Sequence, residues 1–220
     1  MDDEKGRRAA ALVAAVVAVA AVLAGVSAAP RAAQGASFDC AKAATASERA
    51  ICANPTLSAL DSQLGVIYGQ RVARDPSIRQ VERAWIAART AGCGKSVACL
   101  GLLTNAQIAW LRSGATRLPA ALPQQVGACS QTTITDVGTR LGEAGSGSQI
   151  TEANGAMEVS YEQIPAADAS RPGDPAVVCL ISLPEDCPPG DNRGKEYAVG
   201  NMRTLRAWSA PDSEHMCGGA

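Results

Sequence analysis

Residues 54–74 read Asn54-Pro55-Thr56-Leu57-Ser58-Ala59-Leu60-Asp61-Ser62-Gln63-Leu64-Gly65-Val66-Ile67-Tyr68-Gly69-Gln70-Arg71-Val72-Ala73-Arg74. Asn54 offers a side-chain cap, and Pro55 stands where the first helical turn tolerates a missing N–H. Leu57, Leu60, Leu64, Ile67 and Tyr68 then recur at helical spacing, which predicts a helix to about Arg74. Upstream, Thr45 with Glu48 three residues on is a capping-box pattern opening a short helix to Cys52. Downstream, Asp75-Pro76 repeats the start device, and Ile78, Val81, Trp85 and Ala88 form the next apolar stripe until Gly92. A last helix is predicted from near Val97 to Arg112 through Leu100, Leu103, Ile108 and Leu111. Short connections between such helices make a small bundle.

The chain has 220 residues, 47% of them hydrophobic and 19% charged, which argues against wholesale disorder. Seven aromatic residues are too few for a stacking platform, and a net charge of -1 excludes a generic nucleic-acid binder. With His215 the single histidine, histidine-based catalysis and multi-histidine metal sites have little material. No cofactor is called for, and the chain is read as no enzyme. The charge is unevenly spread: residues 29–120 carry eleven Lys/Arg against five Asp/Glu (+6), residues 121–220 six against thirteen (-7).

Lys5, Arg7 and Arg8 precede the apolar stretch from Ala9 to Val26, and small residues follow, the pattern of an export signal cleaved near Ala28. An uncleaved anchor is the alternative, and the position after Leu23-Ala24-Gly25 holds Val26, so no lipid-anchor cysteine is present there. A periplasmic or secreted protein keeps its cysteines oxidised, and the eight fall four and four: Cys40, Cys52, Cys93, Cys99, then Cys129, Cys179, Cys187, Cys217. The first four allow three pairings, all open. Among the second four, Cys179 and Cys187 are expected to pair within one hairpin region, and Cys129 and Cys217 near the ends of that half. A zinc site built from His215 with Cys179, Cys187 and Cys217 is the less favoured reading of the same residues.

After Cys129 the helical period gives way to short alternating runs at Thr132–Leu141, Gln149–Thr151, Met157–Tyr161, Val177–Leu183, Tyr197–Val199 and Arg203–Trp208, with Asn154-Gly155 as a hairpin turn. The expected fold class is therefore multidomain α and β: a disulfide-linked helical bundle, then a small antiparallel β-sandwich or barrel-like domain. The expected boundaries are a signal peptide at 1–28, a mature N-terminal segment at 29–36, a helical four-cysteine domain at 37–115, a Pro-rich linker at 116–126 and an acidic β-rich domain at 127–220.

Phe38-Asp39-Cys40-Ala41-Lys42-Ala43, Thr45, Glu48, Ile51-Cys52, Leu57, Leu60-Asp61, Leu64, Tyr68, Trp85, Arg89, Cys93 and Cys99-Leu100 together resemble the LprI-type lysozyme-inhibitor N-terminal domain over about residues 37–112. Three positions depart from that pattern: Thr90 follows the arginine where an acidic or amide residue is usual, and Thr104 and Gln107 replace the usual tyrosine and arginine of the last helix. The resemblance implies an exported helical module and a lysozyme-type muramidase as partner. The residues themselves make Asp61, Tyr68 and Trp85 structural, with Asp61 and Arg89 better suited to an ion pair than to catalysis. Ser213, Glu214 and His215 are adjacent in the terminal tail, the wrong setting for a triad drawn from separate elements. Candidate partner contacts are Arg89, Arg112, Arg171, Asp191 and Arg193. The expected function is to bind and block a cationic muramidase without chemistry; the alternative is an envelope module binding cell-wall or membrane polymers.

Overall fold

The computed structural model describes residues 35–219, so the signal-peptide and cleavage expectations at 1–28 lie outside the described residues. A 3-10 turn at Cys40–Lys42 leads into α1 (Ala46–Ala53), α2 (Pro55–Arg74), α3 (Ile78–Cys93) and α4 (Val97–Ser113). The local signals act as their chemistry requires. Thr45 Oγ1 accepts from Glu48 N while Glu48 Oε2 accepts from Thr45 N, a complete capping box, and Asn54 Oδ1 accepts from Leu57 N ahead of α2. Ahead of α3, Asp75 Oδ1 accepts from both Ser77 N and Ser77 Oγ, turning the chain between helices.

The strands are β1 (Cys129–Thr139), β2 (Ser148–Glu152), β3 (Met157–Ser160), β4 (Pro175–Ser182), β5 (Glu196–Asn201) and β6 (Ala207–Pro211), with a one-turn helix α5 (Pro165–Asp168) after β3. They form one antiparallel sheet in the order β3-β2-β1-β4-β5-β6. Register shifts between Ile134 and Asp136 and between Leu180 and Ser182 bend it, as bulges do, and the two edge strands β3 and β6 come into contact. The result is a sheet curled into a half-barrel rather than a two-sheet sandwich. Asn154-Gly155 joins β2 to β3 as expected, but the last strand begins at Ala207. Asn201 Oδ1 accepts from Arg203 N and Thr204 N, and Leu205 takes a left-handed φ of 55°, so residues 203–206 are a turn held by the asparagine.

Two apolar clusters result. On the concave side, Ile134, Ile150, Val178, Leu180, Tyr197, Val199 and Trp208 fill the curl, with Ala167 of α5 buried against them. On the convex side, Val177, Cys179, Ala198 and Met202 join the helices in a second core built on Leu57, Trp85, Leu100, Leu103 and Leu111. β4 therefore buries both faces, which is why its sequence is a continuous apolar run.

The contact that unites the halves is α3 lying on β4, β5 and β6. Ala84, Ala88 and Gly92 recur every four residues on α3. A Cβ on Gly200 would fall inside the van der Waals shell of the Ala84 carbonyl, and one on Gly92 would sit 2.5 Å from the Ala198 Cβ. Helix backbone and strand backbone are thus as close as glycine allows. Gln80 Nε2 adds a 2.8 Å hydrogen bond to the Met202 carbonyl. The proline-punctuated segment at 116–126 is also tied down: Trp110 Nε1 donates to the Arg117 carbonyl, Gln131 N donates to that of Pro119, and Leu118 is buried.

All eight cysteines are paired, as Cys40–Cys52, Cys93–Cys99, Cys129–Cys179 and Cys187–Cys217. This corrects the expected Cys179–Cys187 and Cys129–Cys217 pairs. Cys129 and Cys179 stand directly opposite each other on β1 and β4, with Cα atoms 4.0 Å apart, leaving Cys187 in a loop for Cys217 in the tail. The zinc reading of the same cysteines falls with that assignment.

Gly200→Ala should destabilise the full chain by about 2 kcal/mol, because the added methyl forces α3 off β5. Gly69→Ala, on an exposed turn of α2 with open space around it, should be neutral or stabilising by up to about 1 kcal/mol. Urea unfolding of both variants checks this; equal stabilities would show that the helix–sheet seam is not tight.

Candidate functional site

Between α2, α3 and the N-terminal segment lies a cavity of about 300 Å³ whose walls include Phe38, Leu64, Tyr68 and Ile86 and whose polar lining includes Asp61, Glu82 and Arg89. Helical spacing places these groups: Asp61, Leu64 and Tyr68 share one face of α2, and Glu82, Ile86 and Arg89 share one of α3. Ser37 closes one side, donating from N and Oγ to Asp61 Oδ2 at 2.9 and 2.5 Å. Gly65, one turn beyond Asp61, makes room for it, since a Cβ there would lie 2.7 Å from the Ser37 Cβ.

The polar groups are desolvated and mutually held. Arg89 Nη1 lies 3.7 Å from Asp61 Oδ1, and both side chains are almost wholly buried. The same nitrogen donates to Thr104 Oγ1 at 3.1 Å, and the guanidinium carbon sits 4.8 Å from the Trp85 ring centroid. Arg89 Nε is buried without a hydrogen-bond partner among the described residues. Burial pulls the guanidinium pKa down, opposed by the Asp61 and Glu82 charges. Glu82 Oε2 accepts from Gln107 Nε2 at 2.6 Å, and burial pushes this carboxyl up to about 7. Thr104 and Gln107, two of the positions that depart from the resembled pattern, are thus the partners of Arg89 and Glu82.

Asp61, Tyr68 and Arg89 are therefore brought together around the cavity, and Trp85 stacks behind Arg89. The other candidate contacts are scattered. Arg112 is exposed at the end of α4, near Val66 and Gln70; Arg171 is largely exposed, 3.7 Å from Asp174. Asp191 and Arg193 pair with each other at 2.8 Å beside the tail, where the Arg193 guanidinium holds the Asp191 carboxyl far below the usual range. The tail offers no relay: Ser213 Oγ donates to the His215 carbonyl at 2.9 Å, and Glu214 pairs with Arg140.

Sequence reasoning missed Glu82, although a signal was present: it stands four residues after Ile78 and seven before Arg89, inside the apolar stripe of α3. It also missed a buried acidic pair in the half-barrel. Glu152 and Glu158 have no hydrogen-bond partner for any carboxyl oxygen among the described residues. Burial pushes Glu152 up to about 7, and burial together with the neighbouring Glu152 carboxyl pushes Glu158 well above the usual range. In contrast, Arg203 and Asn201 hold Asp174 down to about 2.

Comparison with known proteins addresses the helical half. Residues 40–121 match the family model of lysozyme inhibitor LprI. The LprI match begins at Cys40, spans α1 to α4 with both of their disulfides, and includes Asp61, Glu82 and Arg89 of the cavity. LprI is described as a lysozyme inhibitor. No curated protein and no solved structure matches the chain.

Removing either partner of the buried pair, by Asp61→Leu or Arg89→Met, should cost about 3–5 kcal/mol, while the two substitutions together should cost less than the sum. Chemical unfolding of the three variants measures the coupling; additive losses would show the pair to be independent. For the acidic pair, folding raises pKa values that are ordinarily 4.5, so the fold binds protons the unfolded chain releases. The stability these groups allow is fully present below about pH 4.5 and is lost as pH rises through 7. Glu158→Gln should flatten that decline, with a melting-temperature gain that grows from pH 5 to pH 8; a constant gain would argue against the titration.

Proposed function

We propose that this chain is an exported, non-enzymatic lysozyme-inhibitor-like protein that binds a cationic muramidase reversibly and blocks its cleft. The observation that supports the reading is the LprI match across the whole disulfide-braced helical module. Four disulfides suit an oxidising, extracytoplasmic space, and a periplasmic or secreted location after cleavage near Ala28 is part of the proposal.

Muramidases cut with two carboxylates in a cleft, and a rigid binder inhibits by occupying that cleft. Rigidity is supplied by cross-links and by α3 seated on the sheet, which limits the ordering cost at binding. Arg112, Arg171 and the Asp191–Arg193 pair are proposed surface contacts, whereas Arg89, buried on Asp61, shapes the module from within. The excess of acidic residues after residue 120 supplies a field that hastens encounter with a cationic enzyme.

The chain from residue 29 onward, assayed by clearing of a cell-wall suspension, should inhibit a cationic lysozyme reversibly. Its association rate should fall as salt rises past physiological strength, where the screening length is about 8 Å. No inhibition at concentrations that saturate an ordinary protein interface, with retention on isolated cell wall, would replace this reading by the envelope-module alternative. Inhibition unaffected by salt would keep the function and remove the steering.

A further inference from the structure

The cavity over Glu82 has an apolar wall and one carboxyl, that of Glu82, which forms no ion pair within 4 Å among the described residues, although the Arg89 charge acts on it from farther off. Asp61 is committed to Arg89 and to Ser37, and the Glu48 carboxylate to the amides of Ala44 and Thr45. Glu82 has a single neutral hydrogen bond, to Gln107, among the described residues. Arg83 also lines the space, but it is an exposed residue, as is Ile86 at 42% exposure, so both sit at the mouth. Phe38 and Tyr68, each half-buried, offer aromatic surface beside an acidic floor.

We propose that this cavity is a socket for one arginine side chain of the muramidase, its stem lying along Phe38, Leu64 and Tyr68 and its guanidinium meeting Glu82. The proposal rests on the lysozyme-binding reading. Three features select the occupant. A space of about 300 Å³ lined by Phe38, Leu64, Tyr68 and Ile86 together with the Glu82 carboxyl admits a long side chain with a cationic head. A planar guanidinium stacks on aromatic rings and pairs with a carboxylate through two parallel hydrogen bonds, which a compact, strongly hydrated ammonium does not match. A cationic enzyme, finally, presents such side chains at its surface. The bound cation would also draw the proton from Glu82, whose surroundings comprise Asp61, Arg83, Arg89 and Glu48, so probe binding should strengthen from pH 6 to pH 8.

The test uses the full chain from residue 29 and two readouts. In the first, butylguanidinium, butylamine and butylurea are titrated while the side-chain amide signals of Gln107 are followed by NMR; butylguanidinium should shift them, butylamine weakly and butylurea not at all. In the second, affinity for lysozyme is measured for Glu82→Gln, for Ile86→Trp, which obstructs the mouth from an exposed position, and for the uncharged surface control Gln125→Ala. The first two should lose about 30-fold in affinity or more, the loss expected when a buried charge pair is broken, and the control should not change. Lysozyme with its arginines blocked by phenylglyoxal should bind as weakly, and lysozyme with acetylated lysines should keep the Glu82-dependent part of its affinity.

Full lysozyme affinity in both Glu82→Gln and Ile86→Trp, with no response to butylguanidinium, would overturn the socket and leave inhibition standing. A butylguanidinium response without any lysozyme binding would overturn the inhibitor reading while supporting a guanidinium site. Because Ile86→Trp leaves the buried cluster untouched, a folding defect in Glu82→Gln alone would not remove the test.

Discussion

The close approach of α3 to β5 is the constraint on which the remaining architecture depends. A row of Ala84, Ala88 and Gly92 lets the helix backbone reach Ala198 and Gly200, so the two surfaces meet without large side chains between them. That face of α3 is spent on the sheet, and the large and polar residues, Glu82, Trp85 and Arg89, must lie on the faces turned toward α2 and α4. One helix thereby has two tasks: its small residues join the halves of the molecule, and its Glu82 and Arg89 line the cavity. Moving α3 outward would unseat the Arg89–Asp61 pair as well as the sheet contact.

A second theme is the placement of charge away from water. The helical half buries Asp61, Glu82 and Arg89, and the half-barrel buries Glu152 and Glu158. Such groups are expensive to hold, and each is handled differently. Asp61 is held by Arg89 and by two hydrogen bonds from Ser37. Glu82 reaches neutrality part of the time. The pair in the half-barrel is driven toward the protonated form by burial and, at Glu158, by the neighbouring Glu152 carboxyl. Salt bridges on the surface do little by comparison, and Asp191 with Arg193 is best seen as local bracing of a cross-linked loop.

The helices were legible because their instructions are local. Thr45 with Glu48 and Asn54 with Pro55 each decide a helix start within four residues, and the leucine spacing of α2 names its buried face. The strands were legible as segments, and Asn154-Gly155 as a turn, but the sheet order was not: β1 pairs with β4 across 50 residues, and that pairing decides where Cys129 finds its partner. The segment from Arg203 to Trp208 misled because the side chain of Asn201, outside it, makes the turn. Asp61 and Arg89 stood out as opposite charges amid apolar residues. Glu82, Glu152 and Glu158 were overlooked because a glutamate is usually solvated, and only its phase relative to Ile78, Trp85 or Ile150 betrays an inward direction.

The four cross-links have an order. Along the chain they close at 40–52, 93–99, 129–179 and 187–217, so every cysteine is bonded to its immediate neighbour in the cysteine sequence and no ring overlaps another. A chain delivered amino-terminus first into an oxidising space can therefore acquire its native bonds simply by joining each newly arrived cysteine to the one still waiting. At no stage does a correct bond require leaving an earlier thiol unpaired while two later ones combine. For a chain so delivered, the covalent topology would leave little need for the shuffling of mispaired bonds.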